Sequence, residues 1–220
     1  MIELKNISKV YDNNEKIIVL NNMNITIKKN ELVAIVGPSG SGKSTLLNII
    51  GLMDDYTSGE YYLEGNLINI HNEDQNKLAK IRNEKFGFIY QNFALIDNLT
   101  IKENLELPIK YGNKHEKIKT KKEVLNEKAI NVLKKFKLES KINKYPNERS
   151  GGEQQRIAIA RAIINDAETI LADEPTGALD KKTSDLVVEE LLKLNKEGKT
   201  IVIVTHDLNV AKRCERIIEL

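Results

Sequence analysis

Apolar positions along this chain fall into three patterns. "LVAIV", Leu32 to Val36, "TILA", Thr169 to Ala172, and "IVIVT", Ile201 to Thr205, are short apolar or β-branched runs that lead into polar residues. Unbroken runs of this length predict strands buried on both faces of a parallel sheet, because a strand with one wet face would alternate. Ligands bind beyond the C-terminal ends of such strands in open α/β sheets, so the polar residues there are where chemistry is expected. Nearer the start, Ile2 to Ile27 contains alternating stretches such as "NMNITIK", which predict antiparallel strands flanking the core. Between Tyr111 and Leu138 the period changes again. Leu125, Ala129, Val132, Leu133 and Phe136 fall at i, i+4, i+7, i+8 and i+11, one face of an amphipathic helix. Together these patterns predict an α/β fold: a core with a mostly parallel sheet, an N-terminal antiparallel β part, and an inserted α-helical lobe over roughly 92–164.

Length and composition narrow this picture. With 220 residues the chain can bury a substantial single core, and 1–220 is expected to be one domain. The lone cysteine, Cys214, excludes an internal disulfide and suits a reducing compartment as a packed, inert thiol. The first twenty residues lack the charged, apolar and cleavable regions of a leader, and no stretch reaches about 18 uninterrupted apolar residues. A soluble, unexported chain is expected. Net charge is only +2, but Lys110 to Lys144 holds twelve lysines against four glutamates, leaving the remainder acidic. That run reads first as a solvated helical face and second as a surface attracted to anionic lipid. Nucleic acid is not expected as a partner, since no aromatic residues are spaced as stacking platforms.

The candidate chemistry lies where the buried strands end. "GPSGSGKST", Gly37 to Thr45 (Gly37, Pro38, Ser39, Gly40, Ser41, Gly42, Lys43, Ser44, Thr45), follows one strand and precedes the helical "LLNIIGL". Glycines let such a loop turn its N–H groups inward, and the helix start adds positive charge for phosphate. Lys43 is expected to reach the β- and γ-phosphates of a bound nucleotide, and Ser44 to give Mg2+ a hard oxygen ligand. "LADEPTGALD" follows the second strand: Asp173 is expected in the Mg2+ shell, with Glu174 polarising water. After the third strand, His206 is placed to touch a γ-phosphate. Gln91, in "FGFIYQNF", ends another apolar run and is a candidate sensor of Mg2+ or the attacking water. Tyr11 offers a ring face to adenine. "RSGGEQQR" adds a second helix start built for an anion, with Ser150 as N-cap, Gly151 and Gly152 allowing close approach, and Glu153 following. Since the first loop already serves one nucleotide, the second suggests a γ-phosphate belonging to another molecule.

In this order, the motifs resemble the nucleotide-binding subunit of an ATP-binding-cassette transporter along nearly the whole chain. The resemblance identifies Gly37 to Thr45 as the phosphate loop, Gln91 as the glutamine loop and Ser150 to Gln154 as the signature. It makes Asp173 and Glu174 the carboxylate pair, Asp180 the D-loop and His206 the switch histidine. It implies a head-to-tail dimer with two ATP molecules, each held between one subunit's phosphate loop and the other's signature. It further implies a membrane-spanning permease as partner and a peripheral position at the cytoplasmic face of the membrane. "SGGEQQR", "LADEPTGALD" and "LIDNLTIKENLELPIKY" are similar to the subfamily serving macrolide export, lipoprotein release and peptide export, and "QNFALIDN" tilts toward bacteriocin export. Arg149 departs from the leucine that usually opens the signature. The chain also stops at "RIIEL" where relatives continue, which suggests a short or shortened C-terminus. Two other classes stand beside this one. A chromosome- or repair-type ATPase needs a long coiled coil between Gln91 and Ser150, where sustained heptads are absent; a regulatory or scaffolding module on a membrane protein meets no such obstacle.

Overall fold

The computed structural model describes residues 1–13, 15–112 and 122–220. The chain opens with a long antiparallel pair, β1 (Ile2–Asn13) and β2 (Glu15–Ile27), and then enters the core through β3 (Leu32–Val36) and α1 (Lys43–Ile50). It returns through β4 (Ser58–Leu63) and β5 (Asn66–Leu67), followed by α2 (Gln75–Lys85) and β6 (Phe86–Ile89). Three longer helices come next: α3 (Ile101–Gly112), α4 (Lys122–Lys135) and α5 (Gly151–Ile163). The last third alternates β7 (Thr169–Asp173), α6 (Lys181–Lys196), β8 (Thr200–Val204), α7 (Leu208–Ala211) and β9 (Arg216–Glu219).

Two sheets result. An antiparallel sheet has the order β2-β1-β4-β5, and a five-stranded sheet, parallel in every pairing, has the order β6-β7-β8-β3-β9. Successive core-strand residues serve opposite faces, as the two-residue period of a strand requires. Leu32, Ile170, Ala172, Ile201 and Ile203 pack with the buried faces of α3 to α6. Val33, Ile35, Leu171, Val202 and Val204 pack with α1 and the antiparallel sheet. Both faces are covered, which is why these strands read as unbroken apolar runs. On α4, Leu125, Ala129 and Leu133 are buried, as is Phe136 just past its end, while Val132 packs at the margin.

Four lysines of the basic run, Lys114, Lys117, Lys119 and Lys121, lie outside the described residues. Of the others, Lys110, Lys135 and Lys141 pair with Glu106, Glu197 and Glu153. Burial pushes the Cys214 thiol up to about 11, which makes it a packed and unreactive side chain. Among the described residues no helix is long and apolar enough to cross a membrane.

Candidate active site

Adjacent strands β7, β8 and β3 end side by side, and the three polar segments that follow them meet there. Register sets this meeting: Asp173 pairs with Val204, and Val204 with Ile35. After β3 the loop turns through Gly40 and Gly42, at φ of 80° and 93°, a left-handed conformation that glycine adopts without steric cost. At Gly37 there is no room for a side chain, since a Cβ there would stand 2.7 Å from both Ser41 Oγ and the Leu220 carbonyl oxygen. Lys43 is buried, and its Nζ donates to the carbonyl oxygens of Gly37 at 2.9 Å and Pro38 at 2.7 Å. Among the described residues Ser41 Oγ is buried without a hydrogen-bond partner, and α1 begins after Gly42 with no side-chain cap. An ammonium, an unsatisfied hydroxyl and an uncapped helix start on one small loop fit a polyphosphate.

The neighbouring carboxylates face different ways. Ser44 Oγ donates to Asp173 Oδ1 at 3.1 Å, giving two hard oxygen donors at the start of α1. These suit Mg2+, which takes few protein ligands and fills the rest of its octahedron with phosphate oxygens and water. Burial, joined by the charge of Glu174, raises the Asp173 pKa above the usual carboxylate value against the opposing pull of Ser44 and Lys43. Glu174 turns away through a positive φ of 45°. Its Oε1 accepts the His206 backbone N–H at 3.0 Å and lies 2.7 Å from His206 Nδ1, while its Oε2 accepts Thr205 Oγ1–H at 3.3 Å. A cavity of about 430 Å³ opens beside the pair, lined among others by Gly177, Lys181, Asp207 and Arg213.

Gln91 is exposed just past β6, against Gly177 of the segment after β7: a Cβ on Gly177 would meet its Nε2 at 2.8 Å. Phe93 and Ala94, next in the loop, both have positive φ and are tied down by Arg161 of α5, whose guanidinium donates to both carbonyls. Tyr11 lies on β1, and its hydroxyl donates to Asp54 Oδ2 at 2.7 Å. Asp180 caps α6, accepting from Thr183 N at 3.1 Å and Thr183 Oγ1 at 2.6 Å.

The signature helix start is built differently from that of α1. Ser150 and Glu153 form a reciprocal capping box: Glu153 N donates to Ser150 Oγ at 3.4 Å, and Ser150 N to Glu153 Oε2 at 3.2 Å. Lys141 pairs with the Glu153 carboxylate, holds its pKa down and offsets its charge where an anion would approach. Gly152 packs within its own chain, because a Cβ there would sit 2.3 Å from Thr183 Cγ2 of α6. The Arg149 side chain is only 19% exposed, its Nε is buried without a hydrogen-bond partner among the described residues, and its Nη2 stands 3.9 Å from the Glu148 carboxylate. No hydrogen bond or ion pair among the described residues joins Ser150–Glu153 to Gly37–Thr45.

Sequence reasoning missed Thr205, Arg161 and the Lys9–Asp54 pair beside Tyr11. Lys9 did leave a trace, a lysine two positions before Tyr11 on the same strand face.

A family model described as "ABC transporter" matches residues 20–177. The uncharacterized ABC transporter ATP-binding protein MJ0796 of Methanocaldococcus jannaschii is 51% identical over 223 residues, covering 100% of this chain and 93% of that protein. The macrolide export ATP-binding/permease protein MacB of Bartonella quintana is 46% identical over 221 residues, 100% of this chain but 32% of MacB. Among solved structures, the dimeric MJ0796 cassette superposes with a TM-score of 0.89 at 49% identity, covering 100% of this chain and 94% of that one. A post-hydrolysis dimer of the same cassette bound to ADP and Pi also gives 0.89, at 48% identity and the same coverage.

Proposed function

The chain belongs to the ABC transporter family and is its ATP-hydrolysing cassette, and from that premise we propose that it works as a head-to-tail dimer beneath separate membrane-spanning subunits. In this reading ATP-driven closure of the dimer moves a permease at the cytoplasmic face of the membrane, and the cargo is a peptide, lipoprotein or drug-like molecule. Likeness to MacB supports the export class, although this chain corresponds to about a third of that protein.

The observation that carries the reading is the division of labour between Asp173, bonded to Ser44, and Glu174, bonded to His206. Bound Mg2+ would neutralise charge on the β- and γ-phosphates, and Ser44, Asp173 and Gln91 would hold it. Lys43 exchanges its loop carbonyls for phosphate oxygens. Glu174 accepts the proton of the attacking water, and His206 orients that carboxylate and faces the γ-phosphate. Tyr11 stacks on adenine. Ser150, Gly151, Gly152 and Glu153 meet the partner's nucleotide, with Asp180 beside them at the dimer seam. The 92–164 lobe carries that signature as one unit.

Glu174→Gln tests the reading. It should bind Mg2+-ATP, lose turnover by at least about a hundredfold, the usual contribution of a positioned base, and accumulate as a dimer in light scattering. Wild-type turnover with monomer alone at saturating Mg2+-ATP would reject it.

A further inference from the structure

Lys9 is a buried charge that the phosphate chemistry does not use. Its side chain is 6% exposed, and its ammonium donates to Asp54 Oδ1 at 2.8 Å and also to Asp55. The same ammonium lies 4.7 Å from the centre of the Tyr11 ring. Tyr11 in turn donates its hydroxyl to the other oxygen of Asp54. One carboxylate therefore holds both the cation on the ring and the phenol at its end.

The fold itself does not call for this arrangement. Ile2, Leu4 and Ile7 already anchor β1 in the core, and an apolar side chain at position 9 would avoid desolvating an ammonium. Burial alone would lower the Lys9 pKa, yet the bonds to Asp54 and Asp55 raise it above its ordinary value. Asp54 shows the converse: burial pulls its pKa up, and Lys9 and Tyr11 bring it below the usual carboxylate range. Both partners thus stay charged across neutral pH.

What the network joins is informative. Asp54 lies just past α1, its N–H donating to Asn48 O at 3.3 Å. Through Asp54, Tyr11 is therefore referenced to the helix whose start forms the phosphate loop. An aromatic ring fixed in this way loses little freedom when a base stacks on it.

We propose that Lys9 and Asp54 are positioning residues for the nucleotide base, fixing the Tyr11 ring relative to α1 and closing one of its faces so that the base stacks on the other. The proposal rests on the reading of Tyr11 as the adenine platform. Lys9 and Asp54 touch no part of the nucleotide; they act through Tyr11.

The test is calorimetric titration of the whole chain with ATP and, separately, with inorganic tripolyphosphate, both with Mg2+. Stacking on an aromatic side chain is typically strong enough that Tyr11→Ala should weaken ATP about tenfold. Lys9→Met should weaken ATP about three- to tenfold, the scale of a partly desolvated cation–π contact and the order it imposes. Neither should change tripolyphosphate affinity, which also reports an intact loop. In a Tyr11→Ala background, Lys9→Met should add nothing. Asp54→Asn, which keeps the size of the side chain, should fall on the same side as Lys9→Met and guards against a packing defect at position 9. Equal losses for both ligands, an undiminished Lys9→Met effect without the Tyr11 ring, or unchanged ATP affinity in both Lys9→Met and Asp54→Asn would overturn the positioning role. Wild-type ATP affinity in Tyr11→Ala would instead overturn the platform reading on which it rests.

Discussion

Glu174 and His206 are joined twice, through the imidazole Nδ1 at 2.7 Å and through the backbone N–H at 3.0 Å, both at Glu174 Oε1. The two contacts separate under mutation. His206→Ala removes the ring but keeps the backbone donor, and Thr205 Oγ1 still reaches Oε2. With the His206 side chain 70% exposed, its loss should change stability by no more than about 0.5 kcal/mol. Turnover should fall by about a hundredfold or more if the ring orients the base. Steady-state ATPase assays beside thermal unfolding decide it; turnover near wild type would leave the imidazole without a role at Glu174.

Asp173 should make the ligand-free protein less stable than it need be. Its folded pKa is raised, first by burial and then by Glu174. A raised carboxylate pKa contributes stability at pH values below the unfolded pKa and loses it as pH rises through the folded pKa, so at neutral pH the charge is a net cost. Asp173→Asn should therefore raise the thermal midpoint at neutral pH, by no more than about 4 °C for a chain of this size. The gain should vanish below the ordinary aspartate range. The stabilisation normally given by Mg2+-ATP should be lost in the same variant. Unfolding curves across pH, with and without nucleotide, read all three, and a lower midpoint at neutral pH would contradict the argument.

Gly152 packs tightly inside its own chain, so substituting it has a cost apart from the proposed contact with a partner's nucleotide. With Thr183 Cγ2 only 2.3 Å from where a Cβ would stand, Gly152→Ala must push α5 from α6 at a cost of about 1–3 kcal/mol. Thr183→Ser deletes the offending methyl but keeps the hydroxyl bonded to Asp180. The double variant should recover most of the loss. Gly151→Ala, facing the flexible end of Leu179 at 3.3 Å, should be tolerated. Chemical denaturation of the four proteins checks this, and additive losses in the double variant would dismiss the clash.

The core strands were legible because burial on both faces leaves nothing but apolar residues to read. β3 occupies Leu32–Val36 as expected, and β8 begins one residue early, at Thr200, and stops before Thr205. The phosphate loop was legible because its backbone demands glycine at 40 and 42. The surroundings of Arg149 were not: Lys141 pairs with Glu153, and the ion pair of Arg149 among the described residues is with Glu148 at 3.9 Å. Nor were the contacts of Glu174 with His206, Gly152 with Thr183, or Asp54 with Lys9. Each depends on register or helix packing between segments far apart in sequence, and local period and propensity carry no information about that.

Strand order also ties the timing of activity to synthesis. Among the described residues β3 has β8 and β9 as neighbours in the sheet, and β7 has β6 and β8. A growing chain that has reached α6 holds the phosphate loop and both acidic residues, yet the strand that must lie between them has not been made. Asp173 cannot be brought to Ser44 until β8 is inserted, and Glu174 lacks its three donors until Thr205 and His206 follow. A nascent chain is thus expected to stay silent as an ATPase until Thr205 and His206 have left the ribosome, and a chain cut before β8 would carry every glycine of the phosphate loop without Asp173 held beside it.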